Sequence, residues 1–308
     1  MQAEAFFLPA DPGQRFCLLH PAQGGIERGL VVYAHPFAEE MNKSRRMAAL
    51  QARALSAAGY TVLQIDLLGC GDSSSDFGDA TWQSWVDDVV AACRWLRAPG
   101  LRSLRAPDSS LRAQRGNPGD LSATMDCHGL RPRSDEAAPP LWLWGLRAGC
   151  LLAVDAARQL SEPCNFLFWQ APAAGKTLLQ QFLRLKVAGD MLSGQSKGVM
   201  EAMRQQLADG SAVEIAGYLL APGLASGLEK ATLSPPPSRS DAQQLVWMEL
   251  STREDANLSP ASVKTIALWQ QAGYRVSSHV AQGPAFWQTT EIEEAPALIE
   301  ATVASLRG

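Results

Sequence analysis

The residues of this chain best placed to do chemistry lie in the stretch LWLWGLRAGCLLAV, residues 141–154. An apolar run meets Gly145-Leu146-Arg147-Ala148-Gly149 and passes into a second apolar segment. The spacing is that of G-x-S-x-G, the sharp strand-to-helix turn that presents a nucleophile above a sheet. Ser, Cys or Asp is required at the central position, and Arg147, which stands there, cannot act as a nucleophile. Cys150, three residues on, reads as a small buried helix residue. A nucleophile on such a turn works with an acid after a later strand and a His after the last one. Asp255, in STREDANLSP, follows a strand and suits the acid position, with Glu249 and Glu254 as rivals. Four histidines are present: His20, His35, His128 and His279. His279 lies within the last strand, ahead of the loop that would have to deliver it, and that loop reads Gly283-Pro284-Ala285-Phe286-Trp287. Nucleophile and base are therefore both missing from their expected places, and loss of either member removes most of the rate of such a unit.

The elements that must hold these residues alternate. FCLLHP (16–21), GLVVYAH (29–35), TVLQIDLLG (61–69), PLWLWG (140–145), CNFLFWQ (164–170), QLVWMEL (244–250) and YRVSSHV (274–280) read as strands. MAALQARALSAAGY (47–60), TWQSWVDDVVAACRWLRA (81–98, with Thr81 as N-cap), the segment from Arg147 and EEAPALIEATVASL (293–306) read as helices. This order predicts an α/β protein with a mostly parallel central sheet and helices on both faces. Two segments break the alternation. Residues 173–240 carry several helical patterns and end in LSPPPSRSD, which predicts a helical cap inserted between two strands. Residues 99–139 are rich in Arg, Ser, Pro and Gly, have no apolar periodicity, and read as a solvated low-complexity insertion. Their SLRAQRGNP and MDCHG resemble a translated bacterial interspersed repeat. The core would then be 1–172 with 241–308.

Composition narrows the function classes. The chain has 308 residues, 46% of them hydrophobic and 19% charged, enough for one sizeable core. A net charge of −4 gives no reason to expect a nucleic-acid partner. No run is long and apolar enough for a transmembrane segment, and the first residues do not read as a signal peptide. Six scattered cysteines without C-x-x-C read as buried free thiols of a cytoplasmic protein. Neither a G-x-x-x-x-G-K-[ST] loop nor a cluster of metal ligands is found, so no cofactor and no metal is expected. DLLGCGDS (66–73) has the D-x-x-G-x-G-x-S pattern, in which the glycines allow a tight turn after a strand.

VVYAHPFAEEMNKSRRM (31–47), DLLGCGDSSSDF (66–77), LWLWGLRAG (141–149), WQAPAAGKTLLQQFLRL (169–185), VWMELS (246–251) and GPAFWQTTEIEEAPALIEAT (283–302) together resemble the second type of exosortase A system-associated hydrolase. The resemblance spans nearly the whole chain outside 99–139. It implies an α/β-hydrolase fold and an association with the exosortase/PEP-CTERM sorting system and exopolysaccharide export. Such a fold does not by itself establish chemistry. Three readings follow: a non-catalytic homologue that binds an acyl, lipid or glycan-precursor ligand; an active hydrolase or acyltransferase with an unconventional site drawn from His35, Glu39, Glu40 or Asp255; and a scaffold that partners another hydrolase of the same system. The expected ligand-binding residues are His35, Phe37, Glu39, Glu40, Leu146 and Arg147, at the pocket mouth and the turn. Arg147 should meet either a bound anion or a carboxylate of Glu39, Glu40 or Asp255, because an unpaired buried guanidinium is too costly to keep.

Overall fold

The computed structural model describes residues 3–98, 138–192 and 198–307. Eight strands form one sheet: β1 (Glu4–Pro9), β2 (Gln14–His20), β3 (Gly29–Ala34), β4 (Tyr60–Ile65), β5 (Leu141–Leu146), β6 (Cys164–Trp169), β9 (Gln244–Ser251) and β10 (Arg275–Gln282). Their order across the sheet is β1-β2-β4-β3-β5-β6-β9-β10. All neighbours from β4 to β10 pair in parallel, and β2 alone runs against them, pairing antiparallel with both β1 and β4. The central strands β3 and β5 are buried at every position, as continuous apolar runs covered on both faces should be.

Helices α1 (Glu39–Ala57) and α8 (Pro296–Arg307) cover one face, where Met47, Leu55, Leu298 and Leu306 join Trp144, Trp169 and Met248 in a core. Helices α2 (Trp82–Arg97), α3 (Ala148–Gln159) and α7 (Pro260–Gln271) cover the other, where Trp85, Val89, Leu151 and Trp269 pack on Phe166, Phe168 and Trp247. Thr81 caps α2 as its sequence implies, accepting from the Ser84 N–H at 3.0 Å. Between β6 and β9 the chain leaves the sheet as α4 (Gly175–Leu192), α5 (Val199–Ala208), a hairpin of β7 (Val213–Ile215) and β8 (Tyr218–Leu220), and α6 (Pro222–Lys230). Beside its helices, the segment expected to be a helical cap contains a two-stranded ladder, three residues a side and too short to leave a period-2 signature. The low-complexity stretch, with Cys127 and His128, lies outside the described residues apart from its last two positions. The other five cysteines are buried thiols.

Strand order reverses at β3, with β4 on one side and β5 on the other. The crevice beyond the carboxyl ends of strands at such a point is the place where α/β sheets bind ligands. The loop after β3 and the turn after β5 both open there.

Candidate functional site

The turn after β5 has the geometry its glycines imply. Arg147 takes φ 55° and ψ −116°, a conformation that costs a non-glycine residue about 1–3 kcal/mol. A Cβ on Gly145 would fall 2.4 Å from the Cys150 nitrogen, and one on Gly149 would fall 2.0 Å from the Ala34 carbonyl oxygen. Only glycine lets α3 start this close to β3 and β5. The Arg147 N–H donates to the Trp169 carbonyl at 3.0 Å, and its own carbonyl accepts from the Cys150 N–H at 3.0 Å. The strand-turn-helix frame of a nucleophile elbow is therefore intact around an arginine. At the start of α3 the N–H of Ala148 has no intrahelical acceptor, and it heads a helix whose dipole favours negative charge.

The Arg147 side chain turns toward α1. Its Nε and Nη2 donate to the Glu40 carboxylate at 3.1–3.4 Å, and Nη2 also donates to the Gln181 side-chain oxygen at 2.9 Å. Its guanidinium carbon lies 5.9 Å from the centre of the Trp287 ring, within cation–π range. The Arg147 and Glu40 side chains keep 11% and 22% of their exposure. Burial pushes the Glu40 carboxyl above its ordinary value, with the charge and hydrogen bond of Arg147, a hydrogen bond from Gln288 and the charge of Lys43 pulling the other way. Of the two outcomes open to Arg147, the structure has the internal pair, with Glu40 as the acid.

This cluster adjoins a cavity of about 470 Å³ lined by Phe37, Ala38, Glu39, Glu40, Lys43, Leu178, Gln181, Phe182, Leu185, Trp287 and Gln288. Four parts of the chain build it: the β3–α1 loop, the first turns of α1, the inner face of α4, and the loop after β10. Phe37 meets Phe182 edge-on at 5.0 Å between centroids. Tyr218 of β8 donates to the Glu39 carboxylate at 2.9 Å and accepts from the Asn42 side chain at 3.2 Å, which ties the hairpin to α1. Ala38, like Arg147, has positive φ, 50°.

Not every expected site residue comes to the cavity. Phe37, Glu39 and Glu40 do; Arg147 is not itself in the lining and stands behind it, bonded to the lining residues Glu40 and Gln181. His35 does not line it: the ring is buried, edge-on to Trp85, with Nδ1 donating to the Pro36 carbonyl at 2.8 Å and Nε2 accepting from the Leu67 N–H at 3.3 Å. Burial lowers its pKa, so it is a neutral ring holding two loops together, facing a separate cavity of about 180 Å³ beside Arg45 and Asp66. Leu146, 1% exposed, belongs to the core of the α1 face. Asp255 is exposed in the turn beyond β9, and Glu254 beside it is exposed too. Glu249 is buried and accepts from the Trp247 indole at 3.0 Å. His279 is on the exposed side of β10 and exchanges a hydrogen bond with Ser305 of α8 at 3.0 Å. The Cys150 thiol is buried against the Gly145 carbonyl, 3.2 Å away, and held well above the ordinary thiol pKa by burial, so it supplies no thiolate. Among the described residues no three His, Cys, Asp or Glu side chains gather as a metal site.

Two site residues escape a motif-based reading: Gln181 and Gln288. Gln181 had a signal, since Leu178, Phe182 and Leu185 form an i, i+4, i+7 stripe that marks the inner face of α4, and Gln181 lies within it. Trp287 and Gln288 occupy the loop after the last strand, where a triad histidine would stand.

No family model matches the chain, and no curated protein matches it. Among solved structures it is similar to Est1E from Butyrivibrio proteoclasticus bound to ferulic acid, at TM-score 0.61 and 12% identity, covering 98% of each chain. A soluble variant of monoglyceride lipase from Saccharomyces cerevisiae in complex with a substrate analogue matches at TM-score 0.55 and 14% identity over 100% of this chain and 95% of that one. Alpha/beta hydrolase domain-containing protein 10 from mouse matches at TM-score 0.53 and 13% identity over 99% and 97%. At these identities the likeness speaks for architecture. With the sheet order, the elbow frame and the crevice at the strand ends, it shows that this chain has the α/β-hydrolase fold.

Proposed function

We propose that this chain is a ligand-binding homologue of the α/β-hydrolases that lacks their Ser-His-Asp chemistry. One observation carries the reading: at the tip of a well-formed elbow stands an arginine paired with Glu40 and stacked near Trp287, where a nucleophile and a base would need to meet. The cavity beside it is of ordinary ligand-site size and is lined by the apolar Phe37, Leu178, Phe182 and Leu185 together with polar groups, the usual division of labour in a small-molecule site. Residues 173–240 act as its cap. The sequence resemblance to exosortase A system-associated hydrolases supports a ligand drawn from the acyl, lipid or glycan precursors of that export system, and the buried free thiols support a cytoplasmic place of work. A fluorophosphonate probe tests the reading. No serine should be labelled, because none is activated at the elbow. Stoichiometric labelling of one serine that disappears on unfolding would overturn it. Mass spectrometry of small molecules released from the purified protein should give a single class of compound.

A further inference from the structure

The Arg147–Glu40 pair has three features that leave it open to exchange. Its contacts, 3.1–3.4 Å, are long for charge-assisted hydrogen bonds, which run about 2.7–2.9 Å when tight. It adjoins an open cavity rather than a packed core, and Glu40 is itself part of the cavity wall. Nη1 of Arg147, with two N–H donors, has no partner among the described residues, since the bonds to Glu40 and Gln181 use only Nε and Nη2. Glu40 also has somewhere to go. Lys43, one turn on along α1 at i+3 and lining the same cavity, already acts on its charge, and i, i+3 neighbours on a helix are within pairing reach.

Resting on the ligand-binding reading, we propose that the cavity takes a long-chain monocarboxylate whose head replaces Glu40 on Arg147 while Glu40 moves to Lys43. The Glu40 carboxylate is the mould for the head group: a planar, singly charged acceptor is what the guanidinium fork already holds. A phosphate head would bring a second negative charge beside Glu39 and Glu40, which disfavours it. The alkyl chain lies along Phe37, Leu178, Phe182 and Leu185. Binding leaves the count of charges on Arg147 and Lys43 satisfied, so the guanidinium is paired with and without ligand.

Titration calorimetry of the full chain with dodecanoate, dodecanol and dodecyl phosphate, each below its micelle concentration or, for dodecanol, its solubility limit, tests this without altering the protein. Dodecanoate should bind about ten- to a hundredfold more tightly than dodecanol, the value of a hydrogen bond to a charged group, and more tightly than dodecyl phosphate. Glu40→Gln, which removes the competing carboxylate, should strengthen dodecanoate binding. Arg147→Gln combined with Glu40→Gln removes both charges of the pair together, leaves no buried charge unpaired, and should abolish the preference for dodecanoate over dodecanol. Equal affinity for acid and alcohol, tighter binding of the phosphate, no binding of any of the three, weaker binding by Glu40→Gln, or a preference that survives the double change would each overturn the proposal. Turnover of a dodecanoate ester is a separate outcome: it would sink the non-catalytic reading and leave the head-group comparison as it stands.

Discussion

Arg147 holds a backbone conformation that evolved hydrolases reserve for a nucleophile, and it does so with a side chain that must also be neutralised. The frame around it explains why the strain persists: Gly145 and Gly149 leave the turn no room to relax. Replacing the arginine by serine would put a hydroxyl at the elbow tip but no base beside it, since His35 is locked between Pro36 and Leu67 and His279 is bonded to Ser305. Arg147→Ser should therefore show no turnover of p-nitrophenyl esters above background, and a measurable rate, lost again with His279→Ala, would mean that β10 can shift to bring that ring in. His35 makes its own prediction. Its folded pKa lies below the ordinary 6.5 because burial disfavours the charged ring, and His20 is shifted the same way for the same reason. Below about pH 6.5 the unfolded chain then binds protons that the folded one refuses, so these rings make stability fall as pH drops. The stability difference between pH 7.5 and pH 5.5, measured by urea unfolding, should shrink in His35→Gln. An unchanged difference would mean that the ring protonates in place.

Elements are where local chemistry becomes site geometry. The turn at Gly149 is set by a contact between two elements, α3 and β3, rather than by its own φ, and a methyl group there would sit 2.0 Å from the Ala34 oxygen and 3.0 Å from the His35 oxygen. Gly149→Ala should cost about 3 kcal/mol, read as a lowered urea midpoint, and should loosen the β3–α1 loop that carries Phe37 and leads into Glu40 of α1. A change of only a few tenths would show that α3 can slide. The buried strands were legible in the sequence because continuous apolar runs bounded by Gly or Pro leave few other options: the reading of 164–170 against Cys164–Trp169 and of 244–250 against Gln244–Ser251 differs by a residue. Helix α1 begins at Glu39, eight residues before its apolar pattern does, because EEMNKSRR is charged and Ala38 offers no capping side chain. β1 and α7 carried weaker signals, although Ser259 followed by Pro260 is a start signal that α7 uses, with the Ser259 hydroxyl accepting from the Ser262 N–H. Of the site, the arginine at the elbow and its pairing with a nearby acid were legible. Gln181 and Gln288 were not, because an amide on a helix face or in a loop acquires meaning only when the fold brings it to Arg147 and Glu40.

At the scale of the molecule, the edge of the sheet is fastened to its helical layer by one buried charge pair. Arg15 of β2, 1% exposed, donates from Nε to Asp88 of α2 at 2.8 Å, and from Nη1 to the Pro12 carbonyl at 2.7 Å. The other Asp88 oxygen accepts from the Leu68 N–H at 2.8 Å, in the loop that follows β4. Three parts of the chain, the β1–β2 hairpin, the β4 loop and α2, thus meet on two side chains. α2 in turn carries Trp85, which packs on Phe37 of the cavity wall and on His35. Burial raises the Asp88 pKa even with Arg15 in place to lower it, so the carboxylate depends on its partner. Arg15→Met keeps the apolar stem and leaves a buried carboxylate with only the Leu68 N–H. The expected loss is about 3–5 kcal/mol at pH 7. A carboxyl whose folded pKa is raised binds its proton more readily when folded, so stability falls as pH rises above the unfolded value near 3.8. Removal of Arg15 steepens that fall, and the loss should therefore be smaller at pH 5 than at pH 7. Adding Asp88→Asn, which keeps an acceptor for Leu68 and removes the charge, should recover much of the loss and abolish its pH dependence. Urea unfolding of the two variants at both pH values decides it: an equal loss at pH 5 and pH 7 would mean that Arg15 acts through packing, and that the sheet edge is held by its apolar contacts alone.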